Sequence, residues 1–225
     1  MRNKILELRT FGRRNHEDRI PVLTERAESL EVMTEDLKET PAESMRKRLP
    51  WLIVLLFLGM VVSSVVGMFE NVVAVLPIVI CFQSLVLDMA GNVGTQSLAV
   101  TIRVLMDEEF SGRKKLELIA KEVKIGLLNG GLLGILALVC LGIYIHLCKG
   151  YTWGGAFAVS GCVGISLVVA MAISSLVGTV IPMFFHRINI DPAVASGPLI
   201  TTVNDLVAVV TYYGLAFLLL IYGNM

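Results

Sequence analysis

The sequence predicts an all-α membrane protein, with five spanning helices behind a short charged N-terminal segment. Three observations carry that expectation. The 225 residues are 55% hydrophobic and 17% charged, against about 45–50% and about 25% in an ordinary soluble domain. The charges are segregated: residues 1–49 hold 11 of the 19 basic and 10 of the 19 acidic residues. Long apolar runs fill residues 50–225, and mean hydropathy over the chain is +0.75. This composition excludes a soluble enzyme and a disordered chain. Net charge is zero and no basic face is large enough to track phosphates, so no nucleic-acid partner is expected. Two segments follow: 1–49, a short charged and amphipathic segment, and 50–225, a five-helix transmembrane domain.

Residues 1–49 contain no apolar stretch of the kind a secretory signal needs. Pro21 and Pro41 read as breaks. Leu30, Met33 and Leu37 fall at helical spacing, so Thr24–Thr40 is expected to form a short amphipathic helix. Such a helix could lie on lipid or sit beneath a pore.

A spanning helix needs about 20 mostly apolar residues. The first runs from Trp51 to Phe69. The second runs from Val72 to about Met106, and as one helix it would reach about 50 Å. A hydrocarbon core is about 30 Å thick, so this element must tilt, break or project into water. Asp107–Lys124 is a charged, helix-prone connection. The third, fourth and fifth spans are Ile125–Cys148, Gly155–Phe185 and Pro192–Tyr222. Pro77 and Pro182 read as kinks.

Basic residues orient the bundle. Arg46, Lys47, Arg48, Arg103, Arg113, Lys114, Lys115, Lys121, Lys124 and Arg187 fall on one side of a five-span model, and Lys149 on the other. The N-terminus is therefore expected in the cytoplasm and Met225 outside, in a plasma membrane of the bacterial inner type. Tyr144, Tyr151 and Trp153 form an interface belt at the outer end of span three. The cysteines Cys81, Cys140, Cys148 and Cys162 make no Cys-x-x-Cys pair and read as small buried hydrophobes.

Ionisable groups within a membrane usually line a bundle interior or a water-filled path. Asp88 in span two and Asp205 in span five are the candidates. Glu70, Asp191, His146 and His186 lie near span ends. On a helix, Pro198, Thr201, Thr202 and Asp205 share one face, with Gly197 adjacent. Proline donates no N–H, so the Val194 carbonyl loses its helical partner. A carboxylate, two hydroxyls and a freed carbonyl form an oxygen-rich stripe. That suits a hard divalent cation, above all magnesium, which keeps several waters around one or two carboxylates. No Cys or His joins the stripe, which disfavours zinc or copper. Asp88, Asn92 and Thr95/Gln96 form a second polar stripe, where Gly91 and Gly94 permit close approach or a local break. No Gly-x-Gly-Asp, Gly-x-Ser-x-Gly or His-Glu-x-x-His motif marks an enzyme.

The segment Pro77 … Ala90-Gly91-Asn92-Val93-Gly94-Thr95-Gln96-Ser97 … Arg103 resembles the Gly-Gly-Asn-x-Gly-x-Gln signature of the MgtE-type magnesium transporters. The segment Ile181-Pro182 … Ile190-Asp191-Pro192-Ala193 … Gly197-Pro198 … Thr201-Thr202 … Asn204-Asp205 resembles that family's last-helix signature. Trp51-Leu52 and Phe69-Glu70 resemble its first-helix ends. The resemblance implies a homodimer in lipid, with helices two and five of both subunits enclosing one path. Asp205 would hold a hydrated Mg2+, the transported and bound ion, with Gly197 and the backbone near Thr201 flanking it. Flux would run down the electrochemical gradient. Ala90 replaces the first glycine of the signature and Asp88 adds a carboxylate just before it, which bears on selectivity among divalent cations. Residues 1–49 are too short for the family's N domain and paired CBS sensors, so the path would be ungated, or gating would fall to that segment or to a separate regulatory partner. Two other functions fit the same residues: a proton- or sodium-coupled cation transporter that titrates Asp88, and a regulatory or assembly subunit.

Overall fold

The computed structural model describes residues 39–106, 112–190 and 192–221, with backbone alone at 192–196 and 221. No strand occurs among the described residues. Two compact units divide the chain, 1–53 and 54–225. The expected amphipathic helix at 24–40 and the candidate Asp191 lie outside the described residues, the former except for Glu39 and Thr40.

Helix α1 (Pro41–Gly67) begins ten residues before the apolar run. Thr40 is why. Its hydroxyl accepts from Glu43 N at 3.4 Å, and the Glu43 carboxylate accepts from Thr40 N at 2.9 Å. This reciprocal capping box satisfies orphan N–H groups. Pro41 sits in the first helical position, where a missing donor costs nothing. It starts the helix and does not break it.

In the second unit, the long second span is interrupted. A short α2 (Glu70–Val75) ends at Leu76, whose backbone leaves the helical region at φ −133°, ψ 74°. A 3₁₀ turn at Pro77–Val79 then leads into α3 (Ile80–Leu105). Pro77 opens this turn and is not a kink within a helix. Of the three outcomes that length allowed (tilt, break or projection into water), a break occurs at Leu76. The charged connection, over its described residues, is the first part of α4 (Gly112–Lys149) and continues unbroken into span three. Then come α5 (Trp153–Arg187), α6 (Pro192–Ala216) and a π turn at Phe217–Ile221. Among the described residues, five helices have the length and composition to cross a membrane.

Helix α5 is the hub of this unit and packs against α3, α4 and α6. Thr152 starts it by accepting from Gly155 N at 3.2 Å. Glycines make the α4–α5 contact close. A Cβ on Gly134 would lie 2.8 Å from the Gly164 carbonyl oxygen, and one on Gly164 would lie 2.8 Å from that of Gly134. A Cβ on Gly130 would lie 2.8 Å from Val168 Cα. Small residues at this spacing bring membrane helices into backbone contact. Cys162 is buried, whereas Cys81, Cys140 and Cys148 are exposed on the subunit. The expectation of four buried cysteines is therefore corrected for three of them. Lipid is as apolar as a helix interface, so apolarity alone does not choose between the two.

Candidate functional site

The two candidate stripes lie on α3 and α6, and three contacts fix their register. Asn204 packs on Gly94: a Cβ at Gly94 would overlap the Asn204 Nδ2 and lie 3.0 Å from its Cγ. The Tyr213 hydroxyl donates to Gln83 Oε1 at 2.6 Å, and the Tyr212 hydroxyl to the Val79 carbonyl at 2.8 Å. Residue numbers rise along one helix as they fall along the other, so the helices run antiparallel. Asp205 falls at the height of Asn92 and Val93, and Thr201 near that of Ser97. Asp88 falls about one turn, ~6 Å, farther toward the Tyr213 end.

On α3, Val86, Ala90, Val93, Gly94, Ser97 and Thr101 are buried, while Asp88, Asn92, Thr95 and Gln96 are exposed on the subunit. This is one polar stripe on a spanning helix. Of the two glycines, Gly94 is the close-approach residue. A Cβ at Gly178 of α5 would overlap the Gly94 carbonyl oxygen and lie 3.0 Å from its carbon. Helices α3, α5 and α6 therefore converge at Gly94. A Cβ at Gly91 would meet nothing within 4 Å, and neither would one at Gly197. Both stand beside open space.

On α6, Thr201 is exposed, and Asp205, Thr202, Pro198 and Gly197 are partly buried. The Thr201 hydroxyl donates to the Gly197 carbonyl at 3.2 Å, and that of Thr202 to the Pro198 carbonyl at 3.1 Å. The Thr95 hydroxyl likewise donates back to the carbonyls of Gly91 and Asn92, at 3.1 and 2.9 Å. With their protons committed, these hydroxyls offer lone pairs outward. Such a surface accepts hydrogen bonds from water, including water bound to a cation. No group of three or more His, Cys, Asp or Glu gathers among the described residues. The arrangement suits a hydrated ion better than a stripped one.

Elsewhere, His146 stacks on Trp153 at 3.8 Å, and its Nδ1 meets the Tyr151 carbonyl at 2.7 Å. These groups tie the α4–α5 loop. Glu70 and His186 are exposed.

One acidic residue that sequence reasoning passed over is buried. Glu122 is 4% exposed and accepts from Ser97 Oγ at 2.9 Å. Sequence inspection placed it in a charged connection. The available signal was spacing: Glu122, Gly126, Gly130 and Gly134 recur every four residues and so occupy the packed face of α4.

Comparison with known proteins is consistent along the chain. The MgtE family model, described as a divalent cation transporter, matches residues 83–215. The magnesium transporter MgtE of Enterococcus faecalis is 38% identical over 192 residues, covering 85% of this chain and 40% of that protein. Its namesake in Bacillus subtilis is 37% identical over 170 residues, covering 76% and 36%. That of Thermus thermophilus is 33% identical over 173 residues, covering 77% and 36%. This chain thus spans two fifths or less of the length of these relatives. The matched region holds both polar stripes, from Asp88 through Asp205, and on that ground the chain belongs to the MgtE family.

Proposed function

We propose that two copies of this chain enclose a path for Mg2+ between their α3 and α6 helices. The observation that carries the proposal is the exposed stripe Asp88, Asn92, Thr95 and Gln96 on a membrane helix. An ionisable or amide side chain facing hydrocarbon is costly. A second copy and enclosed water remove that cost. The three relatives are magnesium transporters by name, and the Asp205 stripe has the chemistry such an ion needs.

The mechanism follows from the stripe. Asp205 is the carboxylate that attracts the cation and holds it through its waters. Thr201 and Thr202 accept hydrogen bonds from those waters, because their own protons are bound to the carbonyls of Gly197 and Pro198. Asn92, at the same height on α3, belongs to the exposed stripe that would line the path. Gly197 leaves room for the hydration shell. An inside-negative potential gives about 2.3 kcal/mol per charge per 100 mV, so about twice that for a divalent ion. Entry into a cytoplasm on the basic side of the bundle then needs no coupled reaction.

The test is ion uptake by liposomes that hold only this purified protein. Mg2+ uptake in the wild type, lost in Asp205→Ala with the dimer intact, is the expected result. Uptake retained in Asp205→Ala would remove that residue from the path. Proton counterflow with each ion would favour coupled transport.

A further inference from the structure

We infer that Glu122 is a positioning residue for transport: from the back of α3 it holds, through Ser97, the rotation at which the stripe Asp88–Gln96 faces the path. This rests on the transport reading above.

Among the described residues, Glu122 is the one Asp or Glu that is buried. Its carboxylate takes the Ser97 hydroxyl across 25 residues of chain. The Ser97 carbonyl in turn takes the Thr101 hydroxyl at 2.8 Å. Successive residues turn about 100° on a helix. Ser97 therefore lies opposite Asp88 and about 140° from Asn92. A tie at Ser97 fixes where those side chains point.

Helices α3 and α4 barely touch apart from this tie, because α4 packs along α5. Glu122 stands on the best-anchored face of α4, one turn from Gly126. A Cβ at Gly126 would lie 2.8 Å from the Met171 carbonyl oxygen. The carboxylate thus carries the position of a tightly packed helix pair across to a helix that has little contact with α4. Packing alone would be met at less cost by an apolar side chain, since burying a carboxylate in a membrane bundle is unfavourable. What a carboxylate adds is a directional acceptor for one hydroxyl.

The experiment is Mg2+ uptake against Mg2+ concentration for Ser97→Ala, Glu122→Gln, Glu122→Met and the Ser97→Ala/Glu122→Met double variant, with wild type and Asp205→Ala alongside. Glu122→Met and Ser97→Ala should each raise the half-saturating Mg2+ concentration by about tenfold, and the double variant no further, because both remove one interaction. Glu122→Gln keeps an oxygen for Ser97 and should stay near wild type. Wild-type half-saturation in Ser97→Ala would overturn the inference, as would a double variant with the product of the single effects. Equal damage in Glu122→Gln and Glu122→Met would do the same. If Glu122→Met does not assemble, Ser97→Ala and Glu122→Gln decide alone. Should wild type transport and Asp205→Ala not, while every position-97 and position-122 variant behaves as wild type, only this inference fails. Absence of uptake in the wild type overturns the transport reading and this one with it.

Discussion

Gly94 and Asn204 meet with no room for a methyl group between them. A Cβ on Gly94 would overlap the Asn204 side-chain nitrogen. Asn204 is fully buried, and among the described residues neither of its amide atoms has a hydrogen-bond partner. Gly94→Ala should therefore cost about 1–3 kcal/mol through overpacking. Gly91→Ala, which meets nothing within 4 Å, should be neutral or gain up to ~1 kcal/mol from helix propensity. Thermal midpoints of the detergent-solubilised protein check both. Adding Asn204→Ala to Gly94→Ala should restore part of the loss by vacating the space. A double variant no better than Gly94→Ala would mean that Asn204 is not the obstruction.

Tyr212 and Tyr213 pin the far end of the same helix pair. Phe69 stacks on Tyr213 with centroids 5.6 Å apart. Tyr212→Phe and Tyr213→Phe keep the rings and remove one hydrogen bond each. Each should lower stability by about 1 kcal/mol. Because Tyr212 is the more deeply buried of the two hydrogen bonds, Tyr212→Phe should be the more damaging. The reverse ranking in thermal unfolding would contradict this account.

Glu39 lies in the first unit, ahead of the membrane-spanning residues. Hydrogen bonds from Lys47 and Ser44 hold its carboxyl below the ordinary value of 4.5. A folded value below the unfolded one means the tie contributes above about 4.5 and is lost as pH falls through the folded value. The Glu39 side-chain carbon should titrate below that of a glutamate in an unstructured peptide when followed by NMR. Lys47→Ala should move its midpoint upward. An unchanged midpoint would show that Ser44 alone sets it.

Much of this arrangement was legible in the sequence, for physical reasons. Length showed that the second span could not cross straight as one helix, and left tilt, break and projection open; the break at Leu76 is one of the three. The polar stripes follow from helical period. The start of α1 was also written in Thr40-Pro41-Ala42-Glu43, but charge at Arg46–Arg48 concealed it, because hydropathy marks where a membrane begins and not where a helix does. Glu122 was hidden in the same way. Its neighbours Lys121 and Lys124 are exposed, and only the four-residue ladder with Gly126 separates its face from theirs. The height of Asp88 relative to Asp205 was not legible at all. Two antiparallel helices can slide by any number of residues until contacts such as Gly94–Asn204 fix them.

That height sets apart the roles of the two aspartates. Asp205 stands level with Asn92, whereas Asp88 stands about one turn away and is exposed on the subunit. If Asp205 holds the ion, Asp88 is placed to act over distance, as a charge that concentrates cations on the approach to it. Action over distance is screened by salt, with a Debye length of about 10 Å at 0.1 M and about 3 Å at 1 M. Asp88→Asn should therefore slow Mg2+ uptake severalfold at low ionic strength and approach wild type at high ionic strength. Asp205→Asn should lose uptake at every ionic strength, because the contact with the hydration shell proposed for it is direct. Both variants are isosteric, so liposome assays across a salt series compare charge alone. A salt-independent loss in Asp88→Asn as deep as that of Asp205→Asn would put a second ion-holding carboxylate one turn along the path.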